Sequence, residues 1–455
     1  MITPLQSYDS RAAKSSGRQN RGLPTRRVVL ALWAALGAIA TIVVLHNQAF
    51  VYLLYGTAVA FGFWTFLASG GSRIDPLGVW GIAFAVFAGA AGFLMPHEVF
   101  RANADGVIAV SAFLYFSQLL TVAIASPSAD YQSIPRAAPK TAILPKRSLL
   151  VALTLYCIGV VLEIVSDSLF ARGLMLTAPM VVVASVMRSR QRTGRIILAL
   201  SLIGLYAIAF WSGFGRILLV QAVLAVVMVT QAYGAKLTTK VIFLVGISGY
   251  VVSQGNLIRS FATSTFLGTL DGLERGPQSV WVPLRTAGRI WMKMQSGDHE
   301  FTRFDTYIAA AVSWVPRGLW NDKPIGWGSE LVIALAPRGT SVSYSTAGLG
   351  LGEFLWAFGL VGVSLYALVV SLGVKALQAF FYRTSIMRDE EGNLTVPFLI
   401  SVVVTSNLIS YFWTGSYTFT ARTLTYTSPL LLIWCTSKIR ITRFSGGVRP
   451  VARLD

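Results

Sequence analysis

Apolar stretches of about bilayer length recur along nearly the whole chain, and they limit its fold more than any other feature. Val28 to Leu45, Leu149 to Leu162 and Ile217 to Thr230 contain no charged residue. With their flanks, each is long enough to cross a hydrocarbon core of about 30 Å at roughly 1.5 Å of helix per residue. Backbone polar groups in lipid must be satisfied within the segment, so such runs are read as helices. Of 455 residues, 54% are hydrophobic and 13% charged, and the mean hydropathy is +0.63. That balance excludes a soluble multidomain protein of this length.

The apolar runs predict an all-α polytopic membrane protein with about twelve spanning helices. They fall near 28–46, 48–68, 76–95, 106–125, 148–166, 170–187, 195–211, 216–233, 240–256, 351–374, 396–414 and 421–437. Five regions follow: a basic cytoplasmic tail (1–27), helices one to nine (28–256), a long extracytoplasmic loop with amphipathic helices (257–350), helices ten to twelve (351–437), and a second basic tail (438–455). The first 27 residues are polar, carry six basic residues and lead straight into a full-length apolar run, so the first helix is expected to be an anchor and not a cleaved signal.

The net charge of +19 would suit nucleic acid if it were gathered on one domain, but apolar stretches interrupt the 38 Lys and Arg. Their placement reads as topology instead. With the N-terminus in the cytoplasm, 25 of the 38 fall on the inner side. Of the 13 outside, nine lie in the loop between helices nine and ten, where length exempts them from the positive-inside rule. An even helix count and two cytoplasmic termini follow. The two cysteines, Cys157 and Cys435, stand inside apolar runs and are expected to be small core residues. His46, His97 and His299 lie far apart without ligand spacing, so neither a structural metal nor a cofactor is expected.

A loop of about 93 residues is unusual among short turns, and loops of that length are usually functional. Within it Arg285, Arg289 and Lys293 share one helical face at i, i+4, i+8, as expected of an interfacial amphipathic helix with a basic stripe. The stripe reads either as a solvated or headgroup-facing surface or as a phosphate-binding one. The spans themselves hold few ionisable groups, chiefly Glu163 and Glu353, which weighs against an ion-coupled carrier.

Four stretches map to the outer side. They are Ser212-Gly213-Phe214-Gly215-Arg216, a Gly-flanked turn suited to an anion; Trp314 to Pro324, which contains Arg317, Asp322 and Lys323; Gly348 to Phe354 with Phe358-Gly359 and Gly362; and Arg422 at the start of the last helix. Each also has a plain structural reading. Arginines at helix ends anchor to headgroups, glycines allow close helix packing, and an early Glu353 complements a helix N-terminus.

Together these stretches resemble the motifs of the Wzy oligosaccharide repeat-unit polymerases. The shared elements are the Gly/Ser turn ending in Arg216, the Pro316-Arg317, Trp320 and Lys323-Pro324 run, the Gly352-Glu353 pair and the Phe358-Gly359 step. Arg317 to Gly328 also fits an Arg-x10-Gly spacing. The resemblance implies a metal-independent, lipid-linked glycosyltransferase of the bacterial inner membrane. Its substrate would be an undecaprenyl-pyrophosphate-linked oligosaccharide in membrane lipid, with a chain-length regulator as a partner. Arg216, Lys323, Arg422 and Arg289 would meet the pyrophosphate. Arg317 would assist catalysis, and Glu353 would be the first candidate for general base, with Asp322 second and His299, beside Asp298 and Glu300, third. Trp314, Trp320 and Trp356 suit sugar stacking or an interfacial belt equally. An O-antigen ligase and a polysaccharide flippase are the competing expectations.

Overall fold

The computed structural model describes residues 23–126, 148–166, 168–185, 192–210, 216–234, 236–243, 246, 278–297, 304–315, 319–335, 346–385 and 394–444, without the side chains of 23–26, 192, 216, 278–279 and 436–444. Regular structure among them is helical, apart from isolated bridge positions at Leu394 and Thr395. The helices are α1 (Leu23–His46), α2 (Val51–Ala68), α3 (Pro76–Leu94), α4 (His97–Arg101), α5 (Ala104–Ala125), α6 (Ser148–Ser166), α7 (Leu169–Ala184) and α8 (Arg192–Ala209). They continue with α9 (Arg216–Ala232), α10 (Gln278–Gln295), α11 (Asp305–Ala311), α12 (Trp327–Leu335), α13 (Leu349–Ser385), α14 (Val396–Thr414) and α15 (Ser416–Phe444).

The protein is therefore an all-α membrane protein by length and apolarity of its helices. Seven described helices are long and apolar enough to cross a bilayer (α1, α2, α3, α5, α6, α13 and α14), and α7, α8 and α9 are shorter apolar helices. The span expected at 240–256 lies almost wholly outside the described residues.

The spans α3 and α14 form the centre, which is why they are the most enclosed. α14 packs against α3, α9, α13 and α15; α7 gathers α6, α8, α9 and α15; and α5 lies between α13 and α10. Small residues set the closest crossings, as expected where lipid supplies no hydrophobic drive between helices. A Cβ on Gly62 of α2 would lie 2.6 Å from the Gly81 carbonyl of α3. α3 itself starts on Asp75, whose Oδ1 accepts from Gly78 N at 2.8 Å, and carries a π-helical stretch over Ala85–Ala90.

The connection between α2 and α3 is tied down by buried polar groups. Lys240 Nζ donates to the Ser69 carbonyl at 2.6 Å and the Gly71 carbonyl at 3.2 Å, beyond the end of α2. Asp75 Oδ2 accepts from Gln378 Nε2 at 2.7 Å and from Tyr382 OH at 3.0 Å.

Three expectations change. The helix expected at 351–374 begins at Leu349, runs on to Ser385 and is broken at Gly359, whose φ of 64° and ψ of −143° interrupt the helical path. Glycine is needed twice there, since a Cβ on Gly362 would overlap the Phe354 backbone that the break folds against it. The amphipathic helix α10 is not simply laid on the membrane surface. Its Leu284, Ala287 and Ile290 are fully buried against α5 and α13, because Gly106, Gly288 and Gly352 let the three backbones approach. Finally, Cys157 and Cys435 are free and exposed. They lie on outward helix faces and not in the core.

Candidate functional site

The broken helix α13 brings Glu353 to the α14–α15 turn. Its first segment, Leu349–Phe358, is entered through Leu349, a non-glycine residue with φ of 60°. Glu353 has no solvent exposure. Such a carboxylate must be hydrogen-bonded to be tolerated, and both oxygens are. Ser416 N donates to Oε2 at 2.7 Å, and Ser416 Oγ donates to Oε1 at 2.6 Å. Ser416 opens α15, so the carboxylate meets the positive N-terminal end of that helix and not only of its own. The intervening Gly415 has φ of 83°, and a Cβ there would overlap Glu353 Oε2.

Two short helices between α10 and α13 roof this carboxylate. α11 packs on α15 and brings Thr306 and Tyr307 toward Glu353. Tyr307 stacks on Phe358 with ring centroids 5.8 Å apart and meets Phe354 edge-on at 5.3 Å. α12 brings Trp327, whose ring borders Gly415 and lies 6.1 Å from the Trp356 ring. Glu330 Oε1 accepts from Trp356 Nε1 at 2.8 Å. Burial raises the Glu330 carboxyl, the Trp356 bond opposes that rise, and Asp305 adds to it. Burial, then the charge on Glu353, then Tyr411 also push the Tyr307 hydroxyl up.

Two buried polar atoms at the rim of this site make no hydrogen bond among the described residues, Tyr307 OH and Trp327 Nε1, while the Thr306 hydroxyl lies within reach of the Glu353 carboxylate. Buried polar atoms are rarely left so, and each is a donor that a hydroxyl-rich ligand can satisfy. The arrangement thus offers one fixed proton acceptor, flanked by aromatic faces and unsatisfied donors.

The other expected site residues distribute as follows. Arg422 Nη1 donates to Ser410 Oγ at 2.7 Å. Lys323 is buried, with its ammonium on the carbonyls of Ser313 at 3.0 Å and Val315 at 2.8 Å. Arg289 Nη2 and Lys293 Nζ each donate at 3.2 Å to the carbonyls of Leu335 and Ala334, where they cap the C-terminal end of α12. Arg285 lies over Trp281 at 5.9 Å, and burial followed by Arg289 lowers its pKa. Asp322, Trp314 and Trp320 are exposed. Arg317 and His299, with Asp298 and Glu300, lie outside the described residues, as does the side chain of Arg216.

Sequence reasoning singled out Glu353 and Trp356 of this cluster but not Thr306, Tyr307, Trp327, Glu330 or Ser416. The available signal for Ser416 was the Thr414-Gly415-Ser416 turn between two apolar runs; none of the others stands out from its neighbours. No family model, curated protein or solved structure matches the chain.

Proposed function

We propose that this chain polymerises undecaprenyl-pyrophosphate-linked oligosaccharide repeat units into surface polysaccharide at the outer face of a bacterial cytoplasmic membrane. The reading takes the chain as twelve spans with both termini in the cytoplasm. What supports it most is the Glu353 site: a carboxylate held by the Ser416 N–H and hydroxyl, ringed by unsatisfied donors and by Tyr307, Trp327 and Trp356.

In this reading the acceptor sugar hydroxyl gives its proton to a Glu353 oxygen as its own oxygen bonds to the donor's anomeric carbon. The bond from that carbon to the pyrophosphate oxygen breaks, and the pyrophosphate leaves with the electron pair. Each Glu353 oxygen keeps a lone pair beyond its Ser416 bond for this role. Arg422, with Arg216 and Arg317, meets the charge on the departing pyrophosphate. Because Glu353 is closed to solvent, the roof of α11 and α12 must move for the acceptor to enter.

Purified protein supplied with a lipid-linked repeat unit is expected to yield a ladder of longer glycans. Glu353→Gln keeps the Ser416 bonds feasible but removes the base, so the rate should fall by roughly 10²- to 10⁴-fold. A single addition to a different acceptor would favour a ligase, and unchanged glycan size would sink the enzymatic reading.

A further inference from the structure

Glu163 is nearly alone as a carboxylate within an apolar span, and the reaction above does not use it. It is buried near the outer end of α6, and its Oε1 accepts from Arg172 Nε of α7 at 2.7 Å. Binding through Nε fixes the plane of the guanidinium. Next to Arg172, Gly173 lets α7 close on α15, where a Cβ would lie 2.8 Å from the Thr425 carbonyl. One turn further in, Thr177 Oγ1 donates to the Tyr426 carbonyl at 3.1 Å. The crossing therefore sets Arg172 beside the stretch of α15 that carries Arg422 and Tyr426, and both guanidiniums lie within electrostatic reach of the Tyr426 hydroxyl.

Ser410 Oγ accepts from Arg422 Nη1 at 2.7 Å and from Gln221 Nε2 at 2.6 Å. Among the described residues Arg422 is thus anchored by a neutral hydroxyl and forms no ion pair. Among the described residues the Tyr426 hydroxyl and Gln221 Oε1 are buried without a hydrogen-bond partner, and both side chains border a small, mostly apolar cavity that Thr177 and Ser406 also line. Two guanidiniums at one helix crossing, with a buried hydroxyl on the same stretch of α15, suit an oxyanion.

We propose that Arg172 and Arg422 are the two arms of one oxyanion site, with Tyr426 beside them and Glu163 as the positioning residue for Arg172, and that its ligand is a phosphate group. The proposal deepens the polymerase reading and rests on it for the source of that phosphate, the lipid-linked substrate.

The test is to titrate full-length protein in detergent with inorganic pyrophosphate and, separately, with undecaprenyl phosphate. Arg172→Gln and Arg422→Gln should each weaken binding by about tenfold or more, as expected for a lost charge-assisted hydrogen bond. The double variant should lose less than the product of the two, since the arms share one ligand. Glu163→Gln retains an acceptor for Arg172 and should bind nearly as wild type, whereas Glu163→Leu should bind as weakly as Arg172→Gln. Its melting temperature should stay within a few degrees of wild type, which separates positioning from folding. Binding of undecaprenyl phosphate alone supports a lipid-borne ligand; binding of both probes supports a site that reads the phosphate itself. Wild-type affinity in Arg172→Gln, or no binding of either probe by the wild type, overturns the proposal. A glycan ladder from protein that binds neither probe would overturn this site but leave the polymerase reading, and tight binding without a ladder would do the reverse.

Discussion

Glu353 depends on a single glycine 62 positions further along the chain. Gly415 combines a φ of 83° with a position that a Cβ would share with Glu353 Oε2. Gly415→Ala therefore meets two obstacles, a backbone conformation (φ 83°, ψ −165°) that is essentially glycine-only and costs about 1–3 kcal/mol, and displacement of the carboxylate. Glycan lengthening should be lost and thermal unfolding in detergent should shift down by several degrees. Ser416→Ala keeps the backbone N–H and should cost only about 1 kcal/mol, with partial activity; equal effects from both variants would show that the turn does not position the acid. Glu353 was legible in the sequence because a carboxylate is conspicuous at the start of an apolar run. Ser416 was not, because the contact exists only after the chain bends at Gly359, and no local pattern encodes a pairing across 63 residues. The family resemblance implied a phosphate ligand at Lys323, yet its ammonium is engaged by two carbonyls.

At the scale of elements, α10 was readable as amphipathic but its burial was not. Its moment says that one face is apolar, not whether lipid or protein covers it. Gly106 and Gly288 decide the matter, because a Cβ on Gly288 would lie 2.9 Å from Val107 N. Gly288→Leu should force α5 and α10 apart and lower the melting temperature, while Met292→Leu, on an exposed position of the same helix, should not. The short helix α12 should respond to pH through Glu330, whose carboxyl is raised above its ordinary 4.5 mainly by burial. A raised carboxyl binds more protons folded than unfolded, so its contribution to stability is greatest below about 4.5 and is lost as pH rises through the raised value. Amides of Trp327–Leu335, corrected for intrinsic exchange, should be better protected at pH 5 than at pH 7.5. Glu330→Gln should remove that difference, and its persistence would assign the effect elsewhere.

For the whole molecule, the positions of most spans could be read directly, since nothing but a helix satisfies an apolar run in lipid. Their arrangement could not. That α3 and α14 sit at the centre while α1 is peripheral depends on small-residue crossings and buried polar side chains, not on hydropathy. Sidedness rests on the basic residues and can be tested directly. With Cys157 and Cys435 replaced, a cysteine at Asp322 should react with an impermeant maleimide in intact cells, and one at Lys236 only after permeabilisation. The opposite pattern would invert the topology and remove the site from the outer face.

The break at Gly359 also separates two kinds of selection within one helix. Residues beyond it, such as Leu360 and Val361, face outward, so membrane insertion governs what can replace them. Residues before it, Leu349 to Ala357, are enclosed by protein and answer only to their neighbours. Roughly the first two and a half turns are thus held to what their protein neighbours allow, and the later ones to the apolarity that lipid requires.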